Sequence, residues 1–404
     1  MRLSSKLLSS SVALILASMN ANAAGYSTNL TSTSALANSY AGSAVGAHDI
    51  SNMFYNAATI SNHDKAQFVF SLSHLDLDID PDNVSFNNSS SGNELGDAGE
   101  DAQVPAIYFS TPINDVVSFG LAVNSPFGLA TKYSESWQGR ESSSESNIST
   151  ININPNISFK INDDLSLGLG LQAQYTKTAF TKVAAGNLAK THANDWGHGY
   201  NLGLKYNLNE DLKFGLGYRS KITHKFVGNT NAPGIGNSAV TFVTDTPESV
   251  TAGLGYQAKD NLEVAFDITW TRWSRLQQLS FSHATISAID SASTINYHMK
   301  DSFLYSLGLN YDLNQDILLR FGTAYEKAAV TDSYRNFTIP VGDRIWASTG
   351  IRYQLLSDLA LDATYMHQFY KNVSVNTSDN VGNNLYGQFR TDVDVVSIGL
   401  KKDF

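Results

Sequence analysis

From about residue 66 to the end of the chain, apolar side chains recur at every second position. The clearest run is Leu165-Ser166-Leu167-Gly168-Leu169-Gly170-Leu171-Gln172-Ala173-Gln174-Tyr175, with one aliphatic or aromatic face and one face of Ser, Gly and Gln. The pattern returns at Leu212, Phe214, Leu216 and Tyr218, at Leu262, Val264, Phe266, Ile268 and Trp270, and at Phe303, Tyr305, Leu307, Leu309 and Tyr311. Successive side chains of a strand point to opposite faces, so a period of two means strands with one apolar face. A soluble sandwich alternates as well, so this feature alone does not choose the architecture.

The connections do choose. Short connectors of one kind precede strand after strand: Ile113-Asn114-Asp115-Val116, Ile161-Asn162-Asp163-Asp164, Leu208-Asn209-Glu210-Asp211, Ala258-Lys259-Asp260-Asn261, Leu313-Asn314-Gln315-Asp316 and Ser357-Asp358. Asn and Asp favour tight turns because their side chains bond nearby backbone and tolerate left-handed dihedrals. The connectors recur roughly every 43 to 55 residues, two strands and one longer loop per unit. Polar stretches at 80–101, 134–146 and 229–238 are the expected long loops. Tight turns at one end and long loops at the other are the asymmetry of an outer-membrane barrel. Aromatic residues near strand ends (Tyr175, Tyr206, Tyr218, Tyr256, Trp270, Tyr311, Tyr325, Tyr353) fit interfacial girdles. The pattern predicts an all-β fold, a 14-stranded antiparallel transmembrane β-barrel, with strands such as 66–76, 212–226, 238–257 and 261–281. The chain ends on Phe404, with Val396, Ile398 and Leu400 on one face, which resembles the terminal signal of outer-membrane barrels.

A barrel also reconciles the composition. Hydrophobic residues make up only 42% of the chain, and mean hydropathy is −0.19. No run after the start is long enough for a membrane helix, yet a barrel needs apolar side chains on its outer face only. Residues 1–23 read as a secretory signal peptide: Arg2 and Lys6, an apolar Val12–Ala17 stretch, then Ala21-Asn22-Ala23. The absence of cysteine excludes thiol chemistry and thiolate metal sites. A net charge of −10 argues against nucleic acid as a partner. Residues 24–65 do not alternate and are rich in Ala, Ser, Asn and Gly, with Tyr26, Leu30, Leu36, Met53 and Phe54 as apolar anchors. They are expected to form an N-terminal plug, or hatch, inside a barrel of residues 66–404.

Several short motifs then appear in order: Ala24-Gly25-Tyr26, Ser39-Tyr40-Ala41-Gly42, Ser125-Pro126-Phe127-Gly128-Leu129-Ala130-Thr131, Trp196-Gly197, Tyr218-Arg219-Ser220, Trp270-Thr271-Arg272-Trp273-Ser274, and Ile339-Pro340 with Asp343-Arg344-Ile345-Trp346. Together these resemble the FadL-type transporters of long-chain fatty acids and other hydrophobic compounds, across the mature chain. The resemblance implies a hatch-plugged barrel in the outer membrane. It also implies capture of an apolar molecule in an extracellular groove, transfer to a tighter pocket, hatch rearrangement, and lateral exit at an inward kink of the third strand. Burial of an alkyl chain yields about 0.8 kcal/mol per CH₂, so a route kept apolar avoids returning it to water. By the same resemblance, Asn56-Ala57-Ala58 stands where the family has Asn-Pro-Ala in its gating hatch, and Gly120 lies near the expected kink. Lys300 and Lys177 fall where the family places two basic residues for a substrate carboxylate.

Other chemistry is sparse. No Gly-x-Ser-x-Gly elbow or phosphate loop occurs, and the nine histidines show no metal-ligand spacing, so no cofactor, metal or catalytic residue is expected. Asp76, Asp78, Asp80 and Asp82 alternate into a loop expected to meet lipopolysaccharide. The expected partners are a long-chain fatty acid or other hydrophobic ligand and the outer-membrane lipid around a monomer. Two other function classes stay open beside transport. A lipid-hydrolysing barrel enzyme needs a Ser-His pair on outer strand ends, and an aqueous porin or adhesin predicts steady conductance or surface binding. Within transport, aromatic hydrocarbons remain an alternative substrate.

Overall fold

The computed structural model describes residues 25–87, 96–134, 137–141, 143–184, 187–290, 294–378, 382 and 384–404; the expected leader, 1–23, lies outside them. No helix among the described residues is long and apolar enough to cross a membrane. Fourteen antiparallel strands do so instead. They are Gln67–Phe86, Ala102–Pro112, Val117–Asn124 continued by Gly128–Lys132, Glu145–Lys160, Leu165–Ala184, Asn187–Asn207, and Leu212–Arg219 continued by Ile222–Ala232. Then come Gly236–Thr246 continued by Ser249–Lys259, Leu262–Thr271, Ser302–Asp312, Ile317–Glu326, Arg344–Leu356, Leu359–Tyr370 continued by Val373–Ser378, and Asn384–Asp403. The first strand pairs with the last from Gln67↔Asp403 to Phe86↔Leu385, which closes the cylinder.

The alternation resolves as a barrel in lipid requires. Leu167, Leu169 and Leu171 face outward, 39%, 44% and 63% exposed, while Ser166, Gln172 and Gln174 are buried inside. Exposed Tyr206, Tyr256, Tyr311 and Tyr353 ring the end with the tight turns; Trp196, Tyr305, Tyr325 and Tyr365 ring the other. In the turns, Asn Oδ1 accepts the two following strand amides. Asn114 takes them from Val116 and Val117 (2.9 Å each), and Asn162, Asn209 and Asn314 repeat the arrangement.

Several expected boundaries move. The stretch 229–238 is a tight hairpin rather than a long loop, paired up to Gly236↔Ala232, with Gly234 and Gly236 at φ 82° and 138°. Such positive φ values suit glycine. The first strand runs on to Phe86 and carries Asp76, Asp78, Asp80 and Asp82 as strand rather than loop. The strand expected at 261–281 stops at Thr271, where a 3-10 turn, Trp273–Arg275, carries Trp273 into the interior. Those expected at 212–226 and 238–257 are interrupted at 220–221 and 247–248; in the latter, Pro247 has no amide to give a ladder.

The N-terminal segment fills the lumen with one helical turn, Thr33–Leu36, and two 3-10 helices, Ile50–Phe54 and Ala57–Asn62. Glycines on the inner wall let the two backbones meet. A Cβ at Gly168 would lie 2.3 Å from Ala58 N, and one at Gly322 would lie 2.1 Å from Asn38 C. Polar wall groups pair with the hatch backbone: Asp267 accepts from Gly42 N and Ala44 N, both at 2.9 Å. A buried ion network adds to this. Asp49 of the hatch meets Arg352 at 3.0 Å, Arg352 meets Asp362 at 2.8 Å, and Asp362 meets Arg320 at 2.6 Å.

Two hatch groups respond to this surrounding. Burial alone would raise the Asp49 carboxyl, but Arg352 and donors from Ser34 and Ser51 outweigh it and hold it well below the usual carboxylate range. Burial, reinforced by Arg320, pushes the neighbouring His48 imidazole down to about 4. His48 is therefore neutral in the seated hatch, whereas a released hatch takes up a proton below about 6.5. The His48 contribution is complete above that value and declines as pH falls towards 4. Protease sensitivity of the hatch is expected to rise from pH 7 to pH 4, and His48→Gln should flatten that rise. A profile identical in both proteins would refute it.

Candidate functional site

The third strand pairs regularly through Gly120, opposite Ser110 on one side and Asn156 on the other. The strand is interrupted at Ser125-Pro126-Phe127, starting five residues beyond Gly120. Gly120 makes room for the hatch, since a Cβ there would lie 3.1 Å from the Met53 side chain. Pairing between the second and third strands ends at Ile107↔Val123, and Ala102 to Ala106 pair only with the first strand. The result is a gap in the wall, and Pro105 sits on its unpaired edge, where proline is tolerated.

Hatch residues close the gap from within. Ser27 bridges Phe127, Gly128 N donates to Tyr26 O (2.8 Å), and Thr28 N donates to Pro126 O (3.0 Å). Thr28 Oγ1 donates to Ser125 O at 2.7 Å, and Thr150 Oγ1 donates to Phe127 O at 2.7 Å. Gly25, at φ 67°, lies under Trp273; a Cβ there would come within 2.6 Å of its ring.

Beside this gap lies an apolar cavity. Its walls include Leu129, Ile148, Phe180, Phe226, Phe242, Leu276, Leu279, Tyr297 and Ile339, with threonine hydroxyls and His224 as the polar exceptions. Phe226 and Phe242 stack at 4.6 Å, and Phe281 tilts against Phe242 at 4.9 Å. Tyr26 lines the cavity on the side of the gap, edge-on to Trp273 at 4.8 Å and tilted to Phe127 at 5.7 Å. A second, more polar cavity lies between the hatch (Asn29, Phe54, Tyr55), the kink (Pro126, Phe127) and Arg219.

The expected site residues divide between these features. Asn56 is fully buried and caps the 3-10 helix that begins at Ala57; its Oδ1 accepts from Ala58 N (3.0 Å). Its Nδ2 donates to Ala44 O (2.6 Å) and to Leu204 O of the wall (2.8 Å), which fastens the hatch. Ala57 and Ala58 are buried against the wall at Gly168 and Gly203. Lys300 is exposed, next to buried Met299 and Tyr297, and its amide donates to Ala329 O at 2.9 Å. Lys177 is exposed on the outward face, while Thr176 and Thr178 line the cavity. Strand parity therefore removes Lys177 from that cavity, contrary to its expected role. Nothing in the local pattern marks Tyr26 as a lining residue of this cavity or Arg219 as a lumen cation. Both stood in quoted motifs, but their neighbours are distant in sequence.

Residues 14–404 match the family described as outer membrane protein transport protein (OMPP1/FadL/TodX). The chain is 27% identical over 410 residues to the long-chain fatty acid transport protein of Escherichia coli K12, covering 88% of this chain and 90% of that one. It is 28% identical to outer membrane protein P1 of Haemophilus influenzae, covering 92% and 91%. A Pseudomonas aeruginosa FadL homologue has the same fold (TM-score 0.86, 24% identity, 94% and 99% covered). The Ralstonia pickettii toluene transporter TbuX also shares the fold (TM-score 0.69, 16% identity, 93% and 99% covered). With its closed fourteen-stranded wall, lumenal hatch and gap at the third strand, the chain belongs to this family of outer-membrane transport proteins.

Proposed function

We propose that the protein takes up long-chain fatty acids through the outer membrane and releases them sideways at the third-strand gap. The observation that carries this reading is an apolar cavity inside a polar-lined barrel, lined by the hatch residue Tyr26, whose backbone bonds the wall at the gap. A water-filled porin gains nothing from such a cavity, whereas an acyl chain gains about 0.8 kcal/mol per CH₂ it buries there. In this reading the chain enters from the extracellular side, lies against Phe226 and Phe242, and passes Tyr26 when the hatch moves. Asn56, Ala57 and Ala58 then serve as the hinge of that movement, and Gly120 as part of its seat. Lys300, at the outer edge of the apolar cluster, receives the carboxylate on entry. The protein works as a monomer, its exposed aliphatic belt against outer-membrane lipid.

Two substitutions test the route. Leu129→Trp is expected to fill the cavity and reduce oleate binding more than tenfold in an assembled barrel; undiminished binding would place the ligand elsewhere. Lys300→Ala is expected to weaken oleate several-fold and leave binding of toluene unaltered. Equal affinity for oleate in both proteins would remove the carboxylate role, and toluene displacing oleate from wild type at equal concentration would favour hydrocarbons as substrate.

A further inference from the structure

Buried arginines of the lumen nearly all face carboxylates. Arg320 pairs with Asp362, Arg344 with Glu326, Arg335 with Asp332, and Arg352 with both Asp49 and Asp362. Arg219 does not. It is 8% exposed, and among the described residues no carboxylate pairs with it. Its Nη1 donates to Phe54 O (2.8 Å) and Asn154 Oδ1 (3.2 Å), its Nη2 donates to Gln172 Oε1, and its Cζ lies 3.9 Å from the Phe54 ring centre. All these partners are neutral, and they use three of the five guanidinium N–H donors. Removing a cation from water without a counter-charge is strongly unfavourable, so a retained one calls for an anion that comes and goes.

The position says where that anion comes from. Arg219 ends the strand Leu212–Arg219, immediately before its interruption, and lines the second cavity together with Pro126 and Phe127 of the wall gap. The apolar cavity adjoins it: Thr246 lines both, and Tyr26 of the apolar cavity is tilted against Phe127 of the second. We infer that Arg219 is an internal station for the carboxylate of a long-chain acid, reached after the apolar cavity and before the gap. This rests on the transport reading and adds a second head-group site to it. The planar fork suits a bidentate carboxylate, which the neutral amide of Gln172 and the carbonyl of Phe54 only partly satisfy. Since Phe54 belongs to the hatch, a carboxylate that takes over the Nη1 donor also releases one hatch contact.

The test compares uptake of oleate with uptake of oleyl alcohol, which has the same tail and no charge, in cells that carry the full-length protein. The readout is the acid-to-alcohol ratio. Arg219→Gln is expected to lower it about tenfold, equivalent to about 1.4 kcal/mol. Gln172→Glu keeps the arginine but sets an internal carboxylate against it, and should lower the ratio in the same direction; it decides alone if Arg219→Gln fails to assemble. A ratio unchanged in the assembled variants, even with both uptake rates reduced alike, would make Arg219 a hatch fastener and overturn the proposal. Wild-type protein that takes up neither compound would overturn the transport reading, and this station with it.

Discussion

Hydrocarbon offers no partner to a backbone amide, so every N–H and C=O at membrane depth must find one within the protein. Here that constraint produces a closed cylinder, sealed where the first and last strands pair over nearly their full length. The third strand is where the wall departs from it. At Ser125-Pro126-Phe127 the ladder stops, and partners come from Tyr26 and Thr28 of the hatch and from Thr150 of the next strand. The hatch is thus more than a stopper, because its first residues complete the hydrogen bonding of the wall at the gap. Displacing residues 26–28 would leave the edge at 125–128 without these partners.

A barrel whose outer face is apolar has an inner face that is polar, and strand faces alone cannot line a greasy passage. The apolar lining comes partly from strand residues that face inward near the end away from the tight turns (Leu129, Ile148, Phe180, Phe226, Phe242) and partly from irregular segments. Trp273, Leu276, Leu279, Tyr297 and Met299 lie between the strands that end at Thr271 and begin at Ser302, and Ala329, Val330, Ile339 and Val341 lie in a later connection. These segments add hydrophobic side chains to those that the strands themselves turn inward. The hatch adds Tyr26 to that lining and binds the rest of the wall through polar contacts and through apolar packing, as of Ile50, Met53 and Ile60 against Val69, Ala106 and Ala122.

What could be read from residues alone was what depends on local rules. The period of two exposed the strands, and Asn114, Asn162, Asn209 and Asn314 exposed the turns, because each acts on amides two and three positions ahead. The reading was misled where tertiary packing overrides pattern. Apolar residues after Thr271 looked like continuing strand, but they turn inward to line the cavity. Gly120, expected near the kink, keeps its ladder bonds a few residues before the interruption, and the space it leaves belongs to Met53. Lys177 shares the parity of Leu171 and Tyr175 and is exposed, a position that the residues' alternation already gives. Arg219 gave no local signal of its role, since that role depends on Phe54, Gln172 and the kink, all far off in sequence.

The central claim is that substrate leaves through the wall only when residues 26–28 separate from the third-strand kink. Ser27 and Phe127 are bridge partners across that contact, a spacing suited to a disulfide, and the chain contains no cysteine of its own. A protein carrying Ser27→Cys and Phe127→Cys can therefore be compared with itself, oxidised and reduced, for oleate uptake. The account predicts uptake abolished on oxidation and restored by reductant. Equal uptake in the two states, with the disulfide verified, would contradict it.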